Sequence, residues 1–250
     1  QETLNQLVDV IDRFVRERLV PREKELEESG KLPDDILAEM KELGLFGLTI
    51  PEEYGGLGLT MEEEIQVAIS LGRTSPAFRS IMGTNNGIGS AAIVFNGSEE
   101  QKQKYLPKYA SGEWISCFCL TEPEAGSDAA ALKTTAVRDG DSYILNGTKR
   151  FITNAKVADT FNVMARTNPS IQGARGISSF IVERDSEGIT LGPVDKKMGQ
   201  SGSLTCDVIF EDCRVPAENI IGEEGEGFIT AMKVLDRGRL HISGVSVGVA

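Results

Sequence analysis

Leu120-Thr-Glu-Pro-Glu-Ala-Gly-Ser-Asp128 leaves an apolar run, Phe118-Cys-Leu120, and enters a loop that Pro123 and Gly126 shape. Such a loop can turn consecutive backbone N–H groups toward one ligand, with Thr121 and Ser127 adding hydroxyls. A flat ring with polar edges needs partners of that kind. A phosphate near Gly126-Ser127 is served as well, because glycine lets a backbone nest approach an anion. An acidic surface loop with an ordinary turn is equally compatible with this stretch alone, since hydroxyl-rich turns are common.

The stretch sits inside a run of strands. Trp114–Leu120, Leu132–Arg138, Ser142–Leu145, Phe161–Arg166, Ser178–Glu183 and Leu204–Phe210 are short, rich in β-formers and separated by turns. Asp139-Gly140 and Asn146-Gly147 carry hairpin signals. The spacing predicts a small antiparallel barrel or sandwich. No alternation of strand and helix is present, which argues against a dinucleotide-binding fold.

Upstream, the pattern is helical. Leu4, Leu7, Val8, Ile11, Phe14, Val15 and Leu19 recur at helical spacing, and Pro21 interrupts or kinks that helix. Asp34 to Gly44 predicts a second helix. Thr60 with Glu63, and Ser98 with Gln101, form capping boxes for helices reaching Gly72 and Tyr109. Between them, Ser80–Phe95 is apolar but holds Gly83, Gly87 and Gly89, which weaken a helix and permit close approach. After Pro216 a glycine-rich loop precedes a helical pattern from Phe228 to Ala250, which stops without a cap. The expected fold class is therefore α+β with several domains. Residues 1–112 form an all-α unit, 113–216 an antiparallel β-barrel, and 217–250 the start of an incomplete helical bundle.

Composition narrows the function. With 26 basic against 38 acidic residues the net charge is −12, which disfavours a nucleic-acid surface. No run of about 18 apolar residues exists, so no membrane span is expected. Gln1-Glu-Thr-Leu-Asn5 reads as neither a signal nor a transit peptide. Cys117, Cys119, Cys206 and Cys213 read as free thiols of a reducing compartment, with Cys117 and Cys119 on one side of a strand. One histidine, His241, and no CxxC pair argue against a metal site. His241 on a helix reads as a packing or solvent-facing residue rather than a general base.

Two further segments carry chemistry. In Lys149-Arg-Phe-Ile-Thr-Asn154 an aromatic precedes a hydroxyl by two residues, so it can stack on a ring and bond its edge; a plain strand face is the other reading. In Leu235-Asp-Arg-Gly-Arg-Leu240, Asp236 and Arg239 share a helix face, which alone suggests a surface ion pair.

Taken together, these segments resemble the acyl-CoA dehydrogenase family. The T-E-P-x-A-G-S-D motif is matched across Leu120–Asp128, and the aromatic-I-T-N motif at Phe151–Asn154, with Phe where Trp is common. Ile50-Pro-Glu-Glu-Tyr-Gly-Gly-Leu-Gly58, and Phe210-Glu-Asp-Cys-Arg-Val-Pro216 leading to Gly225-Glu-Gly-Phe228, follow the family in order and spacing. The resemblance covers essentially the whole chain. It implies a helical N-terminal domain, a β-barrel middle domain and a C-terminal four-helix bundle, with FAD between the last two. By motif, Phe118, Cys119, Leu120, Thr121, Gly126, Ser127, Phe151, Ile152 and Thr153 would line the flavin. Thr121 and Thr153 would bond its edge. Ser127 would also touch the acyl-CoA, and Asp236 and Arg239 would contact its CoA part.

The implied reaction is α,β-dehydrogenation of an acyl-CoA to a trans-2-enoyl-CoA, with electrons passed to electron-transfer flavoprotein. An acyl-CoA oxidase on the same scaffold and a non-catalytic flavin or acyl-CoA module are the alternatives. The family's base is usually a Glu in the C-terminal bundle; in one subgroup it occupies the position matching Gly238, where glycine cannot serve. No catalytic residue is therefore assigned in this chain. The base is expected beyond Ala250, and the 250 residues alone are expected to bind FAD poorly and not turn over. The resemblance also implies a homotetramer, in the cytoplasm of a bacterium or the mitochondrial matrix of a eukaryote.

Overall fold

A computed structural model describes residues 2–171 and 173–250. The N-terminal helices are α1 Glu2–Phe14, α2 Glu23–Ser29, α3 Asp34–Glu42, α4 Met61–Leu71, α5 Pro76–Asn86, α6 Ala91–Asn96 and α7 Glu99–Ala110. Leu4, Ile11, Phe14, Val15 and Leu19 are buried, as their spacing predicts. Pro21 bends the chain rather than ending it. The turn before it widens, with the Val20 N–H donating to the Val15 carbonyl, because proline has no N–H to offer. Both capping boxes form, on α4 and α7. The glycine-bearing stretch after Ser80 is split into α5 and α6. The split lets β1 pass close by, since a Cβ on Gly89 would collide with the Ser116 side chain.

The strands are β1 Ser116–Cys119, β2 Thr135–Asp139, β3 Ser142–Thr153, β4 Thr160–Arg166, β5 Ile177–Glu183, β6 Ile189–Leu191 and β7 Thr205–Pro216. They form one curled seven-stranded sheet. β2–β3, β3–β7, β6–β7 and β4–β5 are antiparallel. β4 also pairs in parallel with β1 and, at Thr135 and Arg166, with β2. The sheet is thus mixed, where a purely antiparallel barrel was expected. The long loop after β1 and the β2–β3 hairpin separate β1 from β4 in the chain, so β4 need not return antiparallel to β1 as the second strand of a tight hairpin would. Among the described residues β5 and β6 are not paired to close it.

Asp139 and Ser142 pair across a two-residue turn at Gly140-Asp141, so the first hairpin signal holds. Asn146-Gly147 makes no hairpin. β3 runs straight through it, with a register shift against β7. The Asn146 side chain donates to the Asp212 carboxylate (3.0 Å) and accepts from the Asp212 N–H (2.8 Å). A partner 66 residues away thereby uses the groups that would have made the turn. β3 and β7 are consequently longer than their apolar alternation suggests.

Two of the cores belong to single units. Cys117, Phe161, Phe180, Val208 and Phe210 fill the curl of the sheet, while Ile11, Ile36, Phe46, Val67 and Phe78 fill the helical unit. A third joins them, with Tyr105 and Tyr109 of α7 packed with Ile181 and Ile221. The last helix, α8 Gly227–Val249, lies across both. Its start rests on β5, since a Cβ on Gly227 would collide with the Ser178–Ser179 backbone. Its far half crosses α4, where Cβ atoms on Gly72 and Gly248 would strike the Val245 and Ile69 carbonyls. Backbones approach this closely only where side chains are absent. Among the described residues no helix is long and apolar enough to cross a membrane.

Candidate functional site

The loop that opens at Leu120 is fastened from beneath. Leu120 packs in a buried cluster with Leu132, Met164, Ile177 and Ala231 of α8. The Glu122 and Ala125 backbones exchange hydrogen bonds (3.1 and 3.2 Å), closing a tight turn over Pro123-Glu124. The Glu122 carboxylate accepts from the Lys133 N–H (2.6 Å), the Thr134 N–H (3.0 Å) and the Thr134 hydroxyl (2.5 Å). It also meets the Lys149 Nζ at 2.8 Å, and that ammonium, itself 0% exposed, reaches the Leu120 carbonyl at 3.2 Å. Burial alone would raise the Glu122 pKa. The Lys149 charge and the hydrogen bonds from Lys149, Thr134 and the Lys133 N–H outweigh it and hold the carboxyl below its ordinary value. The Glu122 carboxyl is therefore held ionised, and its charge opposes the burial that pushes the Lys149 ammonium down; the pair is a hydrogen-bonded one. It pins the loop to β2 and β3, and leaves Gly126, Ser127 and Asp128 exposed at the rim. The Gly126 and Ser127 N–H groups donate to no other described residue.

The second segment is brought alongside. The Arg150 N–H donates to the Thr121 carbonyl at 2.8 Å. Between Lys149 and Ile152 the β3–β7 register slips, and Phe151 adopts φ +58. The slip turns the Phe151 ring outward, 58% exposed, with the Arg150 guanidinium 4.7 Å from its centre. Asn154, at φ +66, then stitches the segment to α5. Its Nδ2 donates to the Ser80 carbonyl (2.9 Å) and the Thr84 hydroxyl (2.8 Å).

Of the residues singled out by motif, Thr121, Gly126, Ser127, Phe151 and Thr153 thus keep side chain or backbone at least partly exposed. Cys119 and Ile152 are buried in the sheet's core, so only their backbones could take part. The Cys117 and Cys119 sulfurs lie 3.8 Å apart on one side of β1, as free thiols. Phe118 is half-buried beneath the loop and Leu120 is buried.

Thr153 lines a cleft of about 390 Å³ between α4, α5 and α8. Arg239 lines it too. Asp236 and Arg239 do form an ion pair, exposed at the mouth. Gly238 lines the cleft with no side chain to contribute. Deeper in lie charged groups that sequence reading missed: Glu64 of α4, Arg79 of α5 and Arg237 of α8. His241 joins them, buried rather than facing solvent. Its Nδ1 is 2.7 Å from Glu64 Oε1, and Arg237 donates to Glu64 Oε2 at 3.3 Å. The signal for Glu64 was present. Positions 64, 67, 68 and 71 form one core-facing stripe of α4, and a carboxylate on such a stripe requires a buried partner.

Residues 1–113 match the family model of the acyl-CoA dehydrogenase N-terminal domain, and residues 117–213 that of the middle domain. An acyl-CoA dehydrogenase of Bacillus subtilis is 40% identical over 237 residues, covering 95% of this chain and 62% of that protein. A chain solved in work on the electron transferring flavoprotein of Acidaminococcus fermentans is 42% identical with a TM-score of 0.94, covering 99% of this chain and 65% of that one. An acyl-CoA dehydrogenase of Bacillus anthracis solved with FAD is 39% identical with a TM-score of 0.89, covering 99% of this chain and 42% of that one. The chain spans under two thirds of these relatives' lengths. With both domain models matched in order on a helical unit, a curled sheet and a crossing helix, the chain belongs to the acyl-CoA dehydrogenase family.

Proposed function

We propose that this chain forms the flavin- and acyl-CoA-binding part of an enzyme that α,β-dehydrogenates an acyl-CoA thioester. The observation that carries the reading is the fastening of Thr121 beside Arg150-Phe151, next to a cleft that Thr153 and Arg239 share.

The residues fit FAD. An outward aromatic at Phe151, hydroxyls at Thr121 and Thr153, and open N–H groups at Gly126 and Ser127 offer a stacking face and a polar edge. The flavin, when bound, supplies the acceptor for the hydride that leaves the β-carbon. The chain's own residues do the positioning. Phe151 packs against the ring, and Thr121 and Thr153 fix its edge. Asp236 and Arg239, at the mouth, would contact the CoA part, and Ser127 would also touch the acyl-CoA. The Lys149–Glu122 pair holds this constellation rigid, and rigidity is what a near-attack geometry requires. Gly238 has no side chain to take the α-proton, so in this reading the proton goes to a carboxylate outside residues 1–250.

The similarity to chains solved with FAD and in electron transferring flavoprotein work supports FAD and electron-transfer flavoprotein as cofactor and partner. Exposed Leu240, Ile242, Val247 and Val249 on α8 support further helices packing there, as a four-helix bundle and a tetramer built on it require. The test is enoyl-CoA formation by the flavin-loaded full-length protein with electron-transfer flavoprotein as acceptor. Turnover that depends on that acceptor supports the reading. Turnover with oxygen that yields peroxide instead makes the enzyme an oxidase, and no enoyl product with either acceptor contradicts dehydrogenation.

A further inference from the structure

The cleft holds an unmatched positive charge. Glu64 is its one carboxylate, and both oxygens are taken, by His241 and Arg237. Arg239 is paired with Asp236. Arg79 is left with no hydrogen bond or ion pair to any described residue, and its Nε is shielded from solvent without a partner. Burial lowers the Arg79 pKa, with Glu64's charge opposing, yet a guanidinium remains protonated. The side chain is half-buried, and a partly desolvated cation with unused donors is costly unless something pairs with it.

The helix is built around this side chain. The guanidinium lies along α5 against Gly83, where a Cβ would collide with it. Glycine in a helix interior is intrinsically disfavoured, so its presence one turn after Arg79 gives the guanidinium its place. The Arg237 Nε and His241 Nε2 are buried without partners in the same cleft. The remaining lining near Arg79 combines an apolar part, Ile88, Leu235 and Ile242, with the Thr84 and Ser80 hydroxyls. Apolar walls ending at an unpaired guanidinium match a chain with an apolar stem and an anionic end.

We infer that this cleft selects acyl-CoA thioesters whose chain carries a second carboxylate at its far end, with Arg79 as the residue that reads it. The inference deepens the acyl-CoA reading above and rests on it. The guanidinium's fork of donors matches a carboxylate's two oxygens, and an uncharged chain end would leave Arg79 half-buried and unpaired.

The test uses the flavin-loaded protein and measures Kd by perturbation of the flavin absorbance. The ligands are a short ω-carboxyacyl-CoA, the unsubstituted acyl-CoA of the same chain length, and free CoA. The wild type should bind the carboxylated thioester more tightly than its unsubstituted match. Arg79→Met should weaken the carboxylated ligand by roughly tenfold to a hundredfold, as a charge-assisted hydrogen bond requires, and leave free CoA unchanged. Arg79→Lys should retain part of the preference. Gly83→Ala, which displaces the guanidinium without removing it, should show the same selective loss, and it serves if Arg79→Met does not fold. Two results overturn the inference while the acyl-CoA reading stands: a wild type that binds the unsubstituted chain as well or better, or variants that weaken all three ligands equally. Failure of free CoA and of both thioesters to bind overturns the acyl-CoA reading, and the inference with it.

Discussion

Lys149 is a fully buried ammonium whose counter-ion, Glu122, is 7% exposed and belongs to the loop Leu120–Asp128. Removing one partner of such a pair strands the other charge, which costs far more than the pair's net worth. Glu122→Leu leaves Lys149 with only the Leu120 carbonyl and frees the Lys133 and Thr134 donors. It should destabilise the protein by about 3–5 kcal/mol, and the double variant Glu122→Leu/Lys149→Met should recover part of that loss; urea unfolding midpoints decide. The pH dependence has a definite sign. The folded-state pKa of Glu122 lies below its ordinary 4.5. Its contribution is therefore fully present above about pH 4.5 and is lost as the pH falls through the lower folded value. The conservative Glu122→Gln variant should lose less stability than the wild type over that acid range; equal losses in the two would contradict the ionised pair. Phe151 adds a second residue-scale feature. An aromatic at φ +58 is a strained backbone position, and the result here is an exposed ring beside the loop.

At the scale of elements, the cleft exists because α8 is held against α4 by backbone contact at glycines. Gly72→Ala would drive a Cβ into the Val245 carbonyl. It should cost about 1–3 kcal/mol, the usual penalty of overpacking. It should also speed amide exchange along α8, because the crossing is what protects it. Gly199→Ala, at a position with open space around it, is the control and should be near neutral in thermal melting. Similar shifts for both variants would show that the crossing does not depend on close approach. The elements themselves were well marked in the sequence wherever the signal is local. Thr60 and Ser98 cap the helices their spacing predicts. Asn146-Gly147 misled because its outcome is set by Asp212, a distant neighbour that turns a hairpin signal into a bulge.

At the scale of the whole molecule, the helical unit, the curled sheet and the crossing helix meet around one cleft, which Thr153 and Arg239 line. Thr121, Phe151 and Thr153 could be singled out in the sequence because their residue types and order are those of a known family. The parallel pairing of β1 with β4 was not readable, since alternation along a strand records its faces and says nothing of its neighbours. Arg79 was not readable either. A lone arginine before an apolar run looks like any surface residue until α8 closes over it. The central claim is that this assembly brings a flavin and an acyl-CoA together for dehydrogenation. Its most direct measurement is anaerobic titration of the FAD-loaded full-length protein with acyl-CoA, following the flavin's visible absorbance and the thioester product. The account predicts bleaching of the oxidised flavin with matching formation of 2-enoyl-CoA. A flavin of the full-length protein that stays oxidised while the thioester binds, or a pure full-length protein that takes up no FAD, would contradict it.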